Sequence, residues 1–242
     1  MITDYAIIIP ARFNSKRLPG KPMILIKGIP MLVRTYYQCK KIKEDINTYV
    51  ATDSVKIKNM CKKYNIPVIM TSKNCLTGTD RVAEASRNLR EKYIINVQGD
   101  EPLINPKDIS KVLREHNKYK KVVINGYAKI RDTSLFNNIN IPKVVFDEEN
   151  TLLYMSRSPI PSNKKKLMKQ SFRQICIYCY SKAHLKKFSS FGRKSVIESI
   201  EDIEILRFFD LNIKVKMIEL SSISIPVDIK SDIAKVKKQL SL

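Results

Sequence analysis

Residues 7–22 read IIIPARFNSKRLPGKP, and this stretch is the most informative of the sequence because it joins an apolar run to a cationic loop. The apolar run ends at a proline, and four Lys or Arg side chains follow within ten residues. A buried strand that ends in such a loop brings positive charge and free backbone N–H groups to one end of a sheet. A triphosphate needs that environment, although a solvated basic loop would show the same pattern.

The first half of the chain alternates short apolar runs with amphipathic stretches. The runs at 5–9, 48–51 and 93–97 are predicted strands, and the stretches between them contain predicted helices. Strands that alternate with helices indicate βαβ units and a parallel sheet with right-handed crossovers. We therefore expect an α/β fold built on a doubly wound, mostly parallel sheet of the Rossmann type.

The second half is less regular than the first. Predicted strands crowd into residues 122–180, among them 143–146 and 152–156, and one helix is predicted over 199–210. Neither an internal repeat nor a clear linker divides the sequence. We expect all 242 residues to form a single domain, in which approximately 120–190 contributes a smaller, β-rich lobe.

The net charge of +22 raises the question of a nucleic-acid partner. Most of the cations are lysines spread along the whole chain, with neither a basic stripe interleaved with aromatic residues nor a zinc-finger spacing. We therefore expect no nucleic-acid partner, and a basic nucleic-acid-binding protein on the same fold is the non-enzyme alternative. A broad positive field would still raise the encounter rate with anionic substrates.

The pattern of apolar runs and cysteines indicates a cytoplasmic protein. No apolar run approaches the length that spans a bilayer, and Pro10 and Arg12 interrupt the first one too early for a signal peptide. The five cysteines are odd in number and scattered, which is typical of reduced thiols. We expect no membrane association.

Three polar segments, 10–22, 52–53 and 98–102, follow predicted strands. In a doubly wound sheet such segments meet beyond the carboxyl ends of the strands. Cations facing the carboxylate of Asp100 across this crevice would suit a nucleotide with Mg²⁺, although an Asp after a strand is also a common cap. The sequence has neither a Walker P-loop nor a Gly-x-Gly-x-x-Gly turn after the first strand, which argues against a P-loop enzyme and a dinucleotide dehydrogenase.

Nine stretches resemble the cytidylyltransferases that activate 3-deoxy-manno-octulosonate (Kdo) as its CMP ester. In chain order they are IPARFNSKRLPGKP (9–22), VATD (50–53), TGTDR (77–81), NVQGDEP (96–102), PKVV (142–145), YMSRSPIP (154–161), IYCY (177–180), ESIEDIEILR (198–207) and VD (227–228). They follow the order of that family from about residue 5 to residue 240. The resemblance implies a sheet like that of the nucleotide-diphospho-sugar transferases.

The resemblance also implies a reaction and its residues. CTP and a 2-keto-3-deoxy sugar acid would give the CMP-sugar and pyrophosphate, for lipopolysaccharide or surface-glycan synthesis. Asp100, Asp228, Lys21 and Arg12 would be catalytic, with Mg²⁺ held by the two aspartates. By the same analogy CTP would be bound by Ala11, Arg12, Arg17, Lys21, Thr77, Gly78, Thr79, Arg81, Gln98 and Asp100, and the sugar by Gln98, Arg157, Gln174, Tyr178 and Glu204. A homodimer formed through the smaller lobe is implied as well.

Two of these positions have simpler readings. Glu201, Glu204 and Arg207 stand at helix spacing, so they would also suit ion pairs on a helix surface. Asp228 precedes the last predicted helix, so it would also suit a helix cap.

The sequence departs from the Kdo pattern on the sugar side. Gln174 stands where these enzymes usually have a histidine, and Cys176 and Cys179 stand where they have glycines. Cys75 replaces a second histidine, just before the TGTDR stretch. The acceptor is therefore open between Kdo, 8-amino-Kdo and a nonulosonic acid of the sialic type.

Overall fold

A computed structural model describes residues 4–14, 18–165, 168–221 and 224–241. Arg17, which the sequence predicts to bind CTP, lies outside the described residues.

Within these residues the chain alternates strands and helices, as predicted. The strands are β1 (Tyr5–Ala11), β2 (Leu25–Ile26), β3 (Ile29–Pro30), β4 (Asn47–Thr52), β5 (Val68–Met70), β6 (Tyr93–Val97), β7 (Val123–Ile130), β8 (Lys143–Phe146), β9 (Leu152–Ser156), β10 (Ser171–Ser181) and β11 (Val215–Glu219). The helices are α1 (Met31–Cys39), α2 (Val55–Lys63), α3 (Gly78–Ser86), α4 (Pro106–Lys118), α5 (Thr133–Asn137), α6 (Lys182–Ser190), α7 (Val196–Glu201), α8 (Arg207–Asp210) and α9 (Lys230–Gln239). Among the described helices, none has the length and hydropathy needed to cross a bilayer.

One large sheet organises the molecule, with strand order β11-β7-β10-β6-β1-β4-β5. All neighbours along this path are parallel except β10, which is antiparallel to both β7 and β6. The β8 and β9 strands form an antiparallel pair beside β10, and β2 and β3 form a separate small sheet. The predicted doubly wound, mostly parallel α/β fold is confirmed.

The centre of the sheet is buried on both faces. All residues of β1 are buried, and successive side chains point into different clusters: Ile7 and Ile9 pack into one core and Ile8 into the other. Side chains alternate across a strand, so an uninterrupted apolar run needs helices on both sides of the sheet. The apolar run that opens the sequence is therefore the middle of the fold.

The carboxyl ends of β1 and β6 bring two of the predicted polar segments together. These strands are parallel neighbours, with Ile8 opposite Asn96, so residues 10–22 and 98–102 leave the sheet at the same edge. Gly99 sits where they meet, and a Cβ there would lie 3.1 Å from the Pro10 carbonyl oxygen and 3.1 Å from Leu32. The glycine allows β1 and β6 to approach closely at the rim of this edge.

The predicted continuous helix over 199–210 is wrong. Helix α7 ends at Glu201 because Asp202 adopts a left-handed conformation with φ of 51°, which turns the chain away from the helix axis. A 3₁₀ turn, Glu204–Leu206, then leads into α8. The break is what brings Glu204 towards the carboxyl edge of the sheet.

Candidate active site

A cavity of about 520 Å³ opens at the carboxyl edge of the sheet. It gathers residues that are far apart in the sequence but that sequence reasoning assigned to one site. The predicted site residues that line it are Ala11, Arg12, Lys21, Thr77, Gly78, Arg81, Gln98, Asp100, Arg157, Glu204 and Asp228.

Lys21 lies between the two predicted metal ligands. Its ammonium Nζ is 2.5 Å from Asp100 Oδ2 and 3.1 Å from Asp228 Oδ1. Burial alone would lower the pKa of Lys21, but the two carboxylates outweigh it and the pKa is raised. The Val227 N–H donates to the Asp100 backbone carbonyl over 3.0 Å, which holds the two aspartates side by side.

This pair of carboxylates could share a divalent cation. One ammonium reaches both, so a single cation between them would contact both as well. Mg²⁺ prefers oxygen ligands and usually takes one or two protein carboxylates, with waters and substrate phosphates filling the other positions. Among the described residues there is no group of three or more His, Cys, Asp or Glu that could form a complete protein cage. The residues present therefore fit a magnesium ion that arrives with a nucleotide.

Glu101 lies directly behind the pair and is fully buried. The pKa of Glu101 is raised to about 7, first by burial and then by the Asp100 carboxylate, while Ser224 and Arg173 oppose the rise. The Ser224 hydroxyl donates to the Glu101 carboxyl group, and Arg173 donates to the Ser224 carbonyl over 3.2 Å. Because part of its charge is lost at neutral pH, Glu101 adds less repulsion beside the two aspartates.

Glu204 forms the opposite wall of the cavity. Its Oε1 accepts from the Gly78 N–H at 2.9 Å and its Oε2 from the Thr79 N–H at 2.7 Å. These N–H groups belong to the first turn of α3, where unpaired donors and the helix dipole favour an anion. A Cβ on Gly78 would lie 3.3 Å from Glu204 Oε1 and 3.7 Å from Gln98 Nε2, so glycine allows all three to meet. The reading of Glu204 as a solvated helix charge is therefore wrong.

Arg207 fixes the same helix start from behind, a role that the sequence reasoning missed. Its guanidinium is fully buried and donates to both oxygens of Glu198, at 2.6 and 2.7 Å, and to both of Asp80, at 2.9 and 3.2 Å. Asp80 Oδ2 also accepts from the Thr77 hydroxyl over 2.7 Å. The predicted surface pairing of Arg207 with Glu201 and Glu204 is replaced by this buried network.

Arg157 is held in place by backbone carbonyls. Its guanidinium donates to the carbonyls of Glu201 at 2.6 Å, Asp202 at 2.9 Å and Ile139 at 3.1 Å. Its side chain lines the cavity together with Ile139 and Asn140, among neighbours that differ from those of Lys21. The cavity thus has one end that contains the predicted metal ligands and a second, cationic end at Arg157.

The comparisons with known proteins agree with this geometry. Residues 6–217 match the family described as Cytidylyltransferase. The chain belongs to the cytidylyltransferase family. It is therefore a nucleotidyltransferase, and the resemblance to the Kdo cytidylyltransferases is confirmed.

Three relatives of this cytidylyltransferase match over nearly their whole length. The 3-deoxy-manno-octulosonate cytidylyltransferase of Francisella tularensis subsp. tularensis (strain FSC 198) is 40% identical over 244 residues, covering 96% of each chain. The 8-amino-3,8-dideoxy-manno-octulosonate cytidylyltransferase of Shewanella baltica (strain OS185) is 34% identical over 248 residues, covering 99% of each. A solved CMP:2-keto-3-deoxy-manno-octonic acid synthetase complexed with CTP is 29% identical, with a TM-score of 0.90 over 98% of each chain.

Two predicted sugar-binding residues of this cytidylyltransferase lie beside the site. Gln174 and Tyr178 are among the described residues, but they do not line the cavity. The Gln174 amide Nε2 donates to Asn125 Oδ1 at 3.0 Å and lies 3.1 Å from the Tyr178 hydroxyl. Asn125 in turn donates to the carbonyls of Ile175 and Ile177, across a bulge in β10. The contact of Gln174 and Tyr178 with a sugar stays a prediction.

The polar segment 52–53 contacts the cavity lining through Arg81. Its guanidinium lies 3.5 Å from Asp53 Oδ1, just beyond the end of β4, and donates to Thr71 Oγ1 and the Ser72 carbonyl. Arg81 is buried and lines the cavity. Residues from 10–22 and 98–102 therefore line one site, and the segment 52–53 contacts that site through Arg81.

Proposed function

We propose that this chain is a Mg²⁺-dependent enzyme that couples CTP to Kdo and releases CMP-Kdo and pyrophosphate. The observation that carries the proposal is Lys21 held between Asp100 and Asp228, in a cavity that Arg12 and Arg81 also line. A site of this charge pattern suits a triphosphate that brings its own metal ion. The relatives that carry Kdo in their names support the choice of acceptor.

The mechanism assigns distinct work to the two ends of the cavity. Arg12 and Lys21 bind phosphate oxygens of CTP and stabilise the charge that builds on the departing pyrophosphate. Asp100 and Asp228 would hold Mg²⁺, which would supply charge neutralisation at the phosphates. The anomeric hydroxyl of the sugar attacks the α-phosphorus and gives up its proton to water as the new O–P bond forms. The bond between the α-phosphorus and the β-phosphate oxygen breaks, and its electron pair leaves with pyrophosphate.

The cationic end of the cavity suits the carboxylate of a sugar acid. Arg157 supplies a guanidinium charge that three backbone carbonyls hold in place and that attracts a carboxylate, and Lys194 also lines this end. Asp202 already lies 3.2 Å from Lys194 and 3.8 Å from Arg157, and Glu204 is taken by two backbone N–H groups. An added ammonium would therefore meet carboxylates that are already paired. This arrangement favours Kdo over 8-amino-Kdo.

The direct test is pyrophosphate release from CTP with each candidate acid. We expect turnover with Kdo to exceed turnover with 8-amino-Kdo and with a sialic-type acid, and a chelator to abolish it. Release only with 8-amino-Kdo would overturn the choice of acceptor. No release with any of the three acids would overturn the proposed function.

Replacement of a metal ligand tests the mechanism. Asp100→Asn should lower turnover by about 10³-fold, because charge stabilisation of the transferring phosphoryl group is lost. Its thermal stability should change little, because the Asp100 side chain is part-exposed and its replacement remains polar. Asp132→Asn is the matched control, since that carboxylate is exposed and accepts from the N–H and the hydroxyl of Ser134 at the start of α5. Near-normal turnover of Asp100→Asn would refute the metal role.

We further propose that the enzyme acts as a homodimer in the cytoplasm. Exposed apolar side chains support a dimer, since Ile139, Leu153, Val196 and Ile200 are each more than half exposed. Arg157 connects the backbone of Ile139 to the end of α7, so Ile139 and Ile200 belong to neighbouring parts of the surface. The five cysteines are free thiols, which fits a reducing compartment.

A further inference from the structure

Lys143 is a fully buried lysine that the proposed mechanism does not use. It is the first residue of β8 and belongs to the PKVV stretch of the sequence. Its ammonium Nζ donates to the Asn138 carbonyl at 3.0 Å and to the Arg157 carbonyl. The two acceptors are neutral carbonyls rather than carboxylates.

Such a lysine is costly to bury. The pKa of Lys143 is lowered to about 8, first by burial and then by the nearby Arg157 guanidinium, while Glu201 partly opposes the change. An apolar side chain of similar volume would fill the same space without desolvating a charge. The contribution of Lys143 is therefore to fix the positions of the Asn138 and Arg157 carbonyls.

The two carbonyls that Lys143 holds belong to residues in or next to the lining of the cavity at its cationic end. Arg157 lines the cavity, and so do Ile139 and Asn140, which follow Asn138. The Arg157 guanidinium also donates to the Ile139 carbonyl over 3.1 Å. Lys143 and Arg157 thus connect the same two segments, Lys143 through its buried ammonium and Arg157 from the cavity lining.

We propose that Lys143 is a positioning residue for the acceptor sugar acid. By fixing residues 138 and 157 it sets the place and direction of the Arg157 guanidinium, without touching the substrate itself. The end that contains the predicted metal ligands is anchored separately by Lys21, Asp100 and Asp228. The inference rests on the proposed function, because it names the part of the site that receives the sugar.

The test is the kinetic effect of Lys143→Met on each substrate. We expect KM for Kdo to rise about tenfold, the change that corresponds to one lost interaction of ordinary strength. Turnover at saturation and KM for CTP should change by less than about twofold, since binding of CTP uses the other end. Lys182→Met is the matched control, because Lys182 also donates to two backbone carbonyls, of Arg87 and Leu89, which do not line the cavity.

Two further measurements separate positioning from general stability. The Ile141 N–H donates to the Asn138 carbonyl over 3.1 Å, so its hydrogen exchange should speed up in Lys143→Met and not in Lys182→Met. Lys143→Gln keeps two N–H donors without the charge, so its KM for Kdo should lie between those of the wild type and Lys143→Met. If the Met variant does not fold, the same measurements are made on Lys143→Gln. Equal rises in both KM values, or an unchanged KM for Kdo with a lower melting temperature, would overturn the inference. A wild-type enzyme inactive with every acid would instead overturn the proposed function.

Discussion

Lys21 shows what single residues reveal in sequence and what they do not. The cationic loop that contains it predicts phosphate binding, and the structure places it at the cavity. Its contact with Asp228 spans 207 positions of the chain, and no local pattern could indicate it. The sequence predicts a lysine in a phosphate-binding loop. It does not predict the contact with Asp228, which depends on how the segment before α9 packs beside the end of β6.

This geometry predicts that Lys21 competes with a metal ion for the aspartates. In Lys21→Met the two carboxylates would face each other without a cation, so the metal-free variant should melt at a lower temperature than the wild type. Addition of Mg²⁺ without CTP should then raise the melting temperature of the variant more than that of the wild type, by about 2–4 °C for each kcal/mol of extra binding free energy. Thermal unfolding in MgCl₂ and in KCl of equal ionic strength measures this.

A lysine outside the site provides the control for this measurement. Lys27 is exposed and donates to the Leu240 carbonyl and the Ser241 hydroxyl, so Lys27→Met should leave the magnesium response at the wild-type value. An equal response of Lys21→Met and the wild type would contradict the competition.

The segment from α7 to α8 shows the limits of prediction for whole elements. The sequence predicts β6 at its observed bounds, because an apolar run of 5 residues between turn residues is too short for a helix and suits a buried strand. It predicts one helix over 199–210 where the structure has two, because the break depends on a left-handed Asp202. A local signal for the true start of α7 was present: Ser195 and Glu198 form a capping box.

Helices α3, α7 and α8 should depend on Arg207 for their mutual packing. Arg207→Met would leave Glu198 and Asp80 buried without their cation, which should lower the free energy of unfolding by about 3–5 kcal/mol. Urea unfolding at neutral pH measures this loss. Arg193→Met, which removes an exposed guanidinium stacked on Phe191, should cost less than about 1 kcal/mol. Equal losses in the two variants would contradict the stabilising role of the network.

The periodicity of the sequence predicts the architecture of the whole molecule better than its net charge does. Alternating strands and helices predict the sheet and the edge at which the site lies, since crossover rules leave few topologies. The antiparallel β10 and the β8–β9 pair depend on long-range pairing that no periodicity encodes. The assignment of residues 120–190 to a separate lobe stays a prediction. So does the absence of a nucleic-acid partner, although the net charge of +22 gives any anionic substrate a favourable field.

The net charge of +22 opposes formation of the proposed dimer. Two protomers of +22 repel each other, so apolar contact must supply the association free energy, and a stable interface needs about 800 Å² per partner. Ile200 is 77% exposed on α7, and Ile200→Glu should convert the dimer to a monomer in sedimentation velocity. Val55→Glu is the control: Val55 is 63% exposed on α2, among different neighbours, and its variant should remain dimeric.

Because salt screens the repulsion between protomers, the dissociation constant of the wild-type dimer should fall between about 50 and 500 mM KCl. A wild-type monomer at all salt concentrations, or equal dissociation of both variants, would refute this surface as the interface.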